Sequence, residues 1–106
     1  MSEFVMVYVS TSDRVEAERI ARVLLDERLV ACVNIVDSVF SLFHWEGKVE
    51  SGKECLLVMK SRSDLFVVLE ERVRALHSYD VPEIIAVPIV LGSMAYFDWM
   101  RSVLKR

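Results

Sequence analysis

Little in this chain can turn sharply or carry a phosphate. Its 106 residues include only three glycines, two prolines and two cysteines. With so few breakers, the 54% of hydrophobic residues is neither loop material nor disorder. Gly47, Gly52 and Gly92 stand apart, so no glycine-rich phosphate loop exists and no Ser or Cys sits in a glycine elbow. Positive charge is also short, with 13 Lys and Arg against 16 Asp and Glu and a net charge of -3. No basic field is available for counterion release, which argues against a nucleic-acid partner. Residues 1–10 contain Glu3 and too short an apolar run for a signal peptide or a membrane span. A cytoplasmic location without a membrane partner is the expectation. Cys32 and Cys55 fit neither a paired-cysteine redox spacing nor a zinc pattern, so both are expected as buried free thiols.

What the chain does have is apolar surface in excess of its size. Mean hydropathy is +0.35, and residues 1–106 are read as one domain. A single domain of this length leaves roughly a third of its unfolded-chain surface exposed. Some of the surplus is therefore expected to be buried between copies.

Hydrophobic spacing gives the elements. Residues 4–9 are apolar nearly throughout and suit a central strand covered on both faces. Asp13 and Glu16 fit a capping box, and Ala17, Ile20, Ala21 and Leu24 recur at helical spacing, predicting a helix over 13–28. Its solvated face is expected to carry Glu16, Arg19, Asp26 and Glu27. Residues 30–45 are β-rich with a bend or bulge near Asp37, and 54–60 return as a second strand after a turn beginning at Glu46-Gly47. A turn lying over 47–52 would place Cys55 opposite the region of Phe43 and leave Cys32 well beyond it. The long hairpin is apolar on both faces, through Phe40, Leu42, Phe43 and Trp45. Ser61 or Ser63 is expected to cap a second helix striped by Leu65, Val68, Leu69, Val73 and Leu76. Residues 84–90 form a strand that Pro88 assigns to an edge or bulge, and Gly92-Ser93 opens a last helix on which Tyr96, Trp99, Met100 and Val103 share a face. The order βαββαβ plus a C-terminal helix is the ferredoxin-like α+β sandwich.

The segment His77-Ser78-Tyr79-Asp80-Val81-Pro82-Glu83 joins the second helix to the last strand and concentrates an imidazole, a phenol and two carboxylates. Pro82 restricts its own φ and the geometry of Val81, giving the joint a defined course. His77 admits two roles, a metal ligand or a ring that hydrogen-bonds the end of the helix. Cys32 is read as a buried strand thiol. Lys60 could pair with Glu83 or hold a small anion, against the plainer reading of a solvated strand-end lysine. Trp45 and Trp99 read as core or interface anchors. No nucleophile is paired with a base, so no catalytic residue, enzyme activity or organic cofactor is expected.

Over nearly its whole length the chain resembles the CutA family of divalent-cation tolerance proteins. The likeness is carried by Ala31-Cys32-Val33-Asn34, by Ser41-Leu42-Phe43-His44-Trp45-Glu46-Gly47-Lys48, by the strand leading to Lys60, by residues 77–83, and by Gly92 with Tyr96 and Trp99. The resemblance implies a PII-like homotrimer with the hairpin packed on neighbouring subunits, and tolerance of copper or other divalent metal ions through ion binding. It makes His77 and Cys32, with Glu83, the candidate ligands for Cu or another divalent cation. Trp45, Lys60 and Tyr79 are the candidate lining of an intersubunit cleft. Val9-Ser10 lacks the thiol that some members place at the end of the first strand, which weakens a cuprous site. The alternative is a PII-like signalling or interaction module that binds a small ligand in that cleft. A third reading is a small hydrolase using Tyr79, Asp80 and Glu83 as acid or base.

Overall fold

A computed structural model describes residues 2–106. The chain runs β1 (Phe4–Thr11), α1 (Arg14–Asp26), β2 (Cys32–Trp45), β3 (Lys48–Arg62), α2 (Phe66–Leu76), β4 (Ile84–Pro88) and α3 (Met94–Val103), with a 3-10 turn, Ser63–Leu65, leading into α2. The strands form one antiparallel sheet in the order β2-β3-β1-β4. This is the expected ferredoxin-like α+β architecture with an added helix. Pro88 ends β4 on the sheet edge, where its missing N–H costs no ladder bond.

Side-chain alternation divides the sheet into unlike faces. Val5, Val7 and Val9 of β1 and Leu57 and Met59 of β3 are buried in one core with Ile20 and Leu24 of α1 and Leu69 and Val73 of α2. The opposite face carries Met6, Tyr8, Val58 and Lys60, all only half-buried, so β1 is central but not covered on both sides as expected. α3 covers part of that second face, where Phe97 stacks on Phe4 with ring centroids 4.7 Å apart.

Asp13 caps α1 by accepting from Glu16 N at 2.8 Å, as the sequence predicts. Glu16 itself is a correction: it is buried rather than solvated. Its Oε1 accepts from the amide and hydroxyl of Ser12, one residue earlier than an ordinary box. The expected caps of α2 are not made. Ser61 Oγ donates to Leu29 O at 2.6 Å and Ser63 Oγ bonds Ser2 O, because the 3-10 turn displaces both from the helix start. Val68 also leaves the apolar stripe and lies 48% exposed.

β2 and β3 pair from Trp45–Lys48 down to Cys32–Lys60, with a bulge between Val36 and Val39 at the expected bend. Glu46 and Gly47, at φ 49° and 78°, form the whole two-residue turn. The register therefore differs from the expected one: Phe43 faces Glu50, and Cys55 lies opposite the bulge. The thiols are not cross-strand neighbours. Both cysteines are free, but only Cys55 is buried while Cys32 is partly exposed.

Candidate functional site

The joint after α2 is ordered by hydrogen bonds that consume its polar groups. The His77 side chain is fully buried. Its Nε2 donates to Ser10 O at 2.7 Å and its Nδ1 accepts from Tyr79 N at 3.0 Å. The carbonyl needs a proton on Nε2 and the amide needs a lone pair on Nδ1, so the ring is neutral and both nitrogens are engaged. His77 thus tethers the joint to β1 instead of closing the end of α2. Glu16 Oε2 lies 3.8 Å from Nδ1 and accepts from Ser78 N at 2.7 Å. Burial alone would push this carboxyl up, but the donors from Ser12 and Ser78 outweigh it and hold Glu16 at about 2. Tyr79 packs its ring 4.7 Å from that of His77 and donates to Glu54 Oε2 at 2.9 Å. Burial, reinforced by the Glu54 carboxylate, pushes the Tyr79 phenol up to about 12. Asp80 and Glu83 remain exposed.

A second polar group lies on the incompletely covered face. Cys32 and Lys60 are direct partners across β2 and β3, in the same row as Met6 and Val87. Cys32 Sγ is 3.4 Å from Lys60 Nζ and 3.4 Å from the Tyr96 hydroxyl, and Lys60 Nζ is 3.4 Å from Asn34 Oδ1. The sulfur beside it pushes the Tyr96 phenol up to about 12. Lys60 has a thiol and an amide oxygen as neighbours, not the Glu83 carboxylate.

The candidate ligands His77, Cys32 and Glu83 are not brought together. Among the described residues no group of three or more His, Cys, Asp or Glu side chains could hold a metal ion. The donors of this chain do not fit a resident divalent cation, because both His77 nitrogens are used and an ammonium stands beside Cys32. Trp45, Lys60 and Tyr79 are likewise dispersed. Trp45 pairs with Lys48 beside the hairpin turn, whereas Lys60 pairs with Cys32 at the hairpin base. Sequence reasoning missed Glu54, Asn34 and Ser10, whose roles rest on contacts with residues distant in the chain. Tyr96 was visible as a helix-face aromatic, but its bond to Cys32 spans 64 positions.

An antiparallel ferredoxin-like sandwich with a projecting β2–β3 arm and a polar joint after its second helix defines a class of small α+β proteins. The chain belongs to the CutA1 divalent ion tolerance protein family, whose model matches residues 5–103. The divalent-cation tolerance protein CutA of Thermus thermophilus is 46% identical over 102 residues, covering 96% of this chain and 97% of that protein. The chloroplastic protein CutA of Arabidopsis thaliana is 45% identical over 98 residues, but the chain spans only 54% of its length. Crystal structures agree in fold: CutA1 of Oryza sativa superposes with a TM-score of 0.95 at 40% identity, covering 98% of this chain and 95% of that one. The Thermus thermophilus structure gives 0.94 at 42% identity, covering 96% and 99%. No helix among the described residues is long and apolar enough to cross a membrane.

Proposed function

We propose that this chain serves divalent-cation tolerance as a cytoplasmic, non-enzymatic homotrimer, and that it meets copper or another divalent cation where copies adjoin. The incompletely covered sheet face and apolar hairpin carry this reading, with Phe40, Leu42 and Trp45 each at least 60% exposed. Apolar surface so arranged favours burial against further copies over exposure to water. Of the three candidate ligands only Glu83 is exposed and open to a second donor from a neighbouring copy, so a shared cation site would be built on it. Sedimentation equilibrium at micromolar protein is expected to give three times the protomer mass. Calorimetric titration with Cu(II) and Zn(II) is expected to show sub-millimolar binding that Glu83→Gln weakens. A folded monomer would remove the shared site, and an affinity no better than millimolar would remove the cation.

A second reading, a PII-like module for a small anionic ligand, is favoured by the neighbours of Lys60, none of which is a carboxylate. It predicts that Lys60→Ala abolishes ligand retention while cation affinity is unchanged.

A further inference from the structure

The two cysteines sit in opposite electrostatic settings. Cys55 is buried and donates to Asp37 Oδ1 at 3.0 Å. Burial and then that carboxylate push its pKa up, keeping it protonated and inert. Cys32 is partly exposed, with an ammonium 3.4 Å from its sulfur and a phenol on another side. Lys60 is its direct partner on the adjacent strand, so both side chains leave the same face. A thiol held against an amine by strand register has a nucleophile waiting for any electrophilic sulfur formed there.

We infer that Cys32 and Lys60 are an oxidant-driven cross-strand linkage site, at which a hydroperoxide oxidises Cys32 and Lys60 then closes an S–N bond. In the first step the sulfur attacks a peroxide oxygen. The S–O bond forms as the O–O bond breaks, the thiol proton leaves with the departing oxygen, and sulfur loses the two electrons that peroxide gains. The products are a Cys32 sulfenic acid and, from hydrogen peroxide, one water. In the second step Lys60, having released its ammonium proton to solvent, attacks that sulfur as a neutral amine. The S–N bond forms, the S–O bond breaks, and hydroxide takes a proton from nitrogen and departs as water. This condensation involves no net redox change and leaves a sulfenamide that removes the Lys60 charge and ties the first residue of β2 to β3. Every contact involved lies within one protomer, so the linkage does not depend on assembly.

The test is treatment of the assembled protein with graded hydrogen peroxide, followed by non-reducing digestion and mass spectrometry. The expected product is a joined pair of peptides bearing Cys32 and Lys60, two hydrogens lighter than the separate peptides and released by dithiothreitol. It is expected to vanish in Cys32→Ser and Lys60→Arg and to persist in Cys55→Ser. Lys60→Arg keeps a cation near the sulfur but removes the condensing amine, so dimedone should trap several-fold more sulfenic acid at Cys32 than in the wild type. Circular dichroism checks the fold of each variant, and Lys60→Arg carries the test should Cys32→Ser not fold. Equal dimedone labelling with no joined pair would overturn the inference. A joined pair heavier by one oxygen atom, an N–O–S bridge, would overturn the condensation step.

Discussion

Glu16 keeps its charge with almost no water around it. Two donors from Ser12 and one from Ser78 replace that water, and the last joins the start of α1 to the segment after α2. Its folded-state value of about 2 lies below the usual 4.5, a difference worth roughly 3 kcal/mol. A depressed carboxyl stabilises the fold fully above its unfolded value and loses that contribution as pH falls through the folded one. Thermal unfolding followed from about pH 6 downward should therefore show the wild type losing stability between pH 4.5 and 2, whereas Glu16→Gln is less stable at neutral pH and flatter across that window. Parallel curves would show that the network does not hold the charge. Glu16→Ala removes the charged acceptor shared by Ser12 and Ser78, both exposed residues whose donors water can then reach, and should cost on the order of 1.5–3 kcal/mol in total, the worth of a charge-assisted hydrogen bond. The local half of this network was legible, because Asp13 and Glu16 are three positions apart and form a recognisable cap. The other half joins residues 62 positions apart, and helical periodicity carries no trace of it.

At the scale of elements, the β2–β3 turn depends on backbone conformation alone. Gly47 adopts φ 78° with no atom within 4 Å of an added Cβ, so a side chain there meets strain but no clash. Gly47→Val should destabilise by about 1–2 kcal/mol, the cost of a left-handed L-residue. Glu46→Asn, placing a residue that tolerates positive φ at the other turn position, should raise the denaturant midpoint. Both are checked by urea unfolding at fixed protein concentration, and a Gly47→Val midpoint equal to the wild type would exclude this turn. Gly92 offers the contrasting case, because a Cβ there would run into the Phe97 ring. Gly92→Ala should displace Phe97 from Phe4 and cost about 1–3 kcal/mol, read as a lower melting temperature with a changed near-ultraviolet spectrum. All strands and helices were legible from hydrophobic spacing, but the start of β3 was not. Residues 48–53 look like loop, with Lys48, Glu50, Ser51, Gly52 and Lys53, because an exposed hairpin arm needs no apolar alternation to keep its ladder. The error displaced the expected partner of Cys55.

The molecule as a whole is longer and more exposed than its mass requires. Its radius of gyration is 14.3 Å, where about 13 Å is expected for a compact chain of this length. Its accessible surface is 6833 Å², against roughly 6,100 Å² for a folded monomer of its mass. The long axis of 44 Å is close to the span of the β2 and β3 arm, at about 3.3 Å per residue. Part of the apolar surface left open lies on the hairpin, where Phe40, Leu42, Trp45 and Val49 are 60% to 67% exposed, and part lies after β4, where Val90, Leu91 and Met94 are 77% to 88% exposed. On the proposed assembly, burying each of the first three against another copy contributes about 1.5–3 kcal/mol, and their joint loss leaves the entropy cost of association unopposed at this contact, which should separate the copies. None of the three belongs to the core, so a variant carrying Phe40→Ser, Leu42→Ser and Trp45→Ser should keep its sheet and helices while its sedimentation mass falls from the assembly to the single chain. Its melting temperature should cease to depend on concentration, since assembly no longer stabilises the fold by mass action. A variant that stays assembled would place the contact elsewhere, on the sheet face bearing Met6, Tyr8 and Val58, and the hairpin's apolar residues would need another partner.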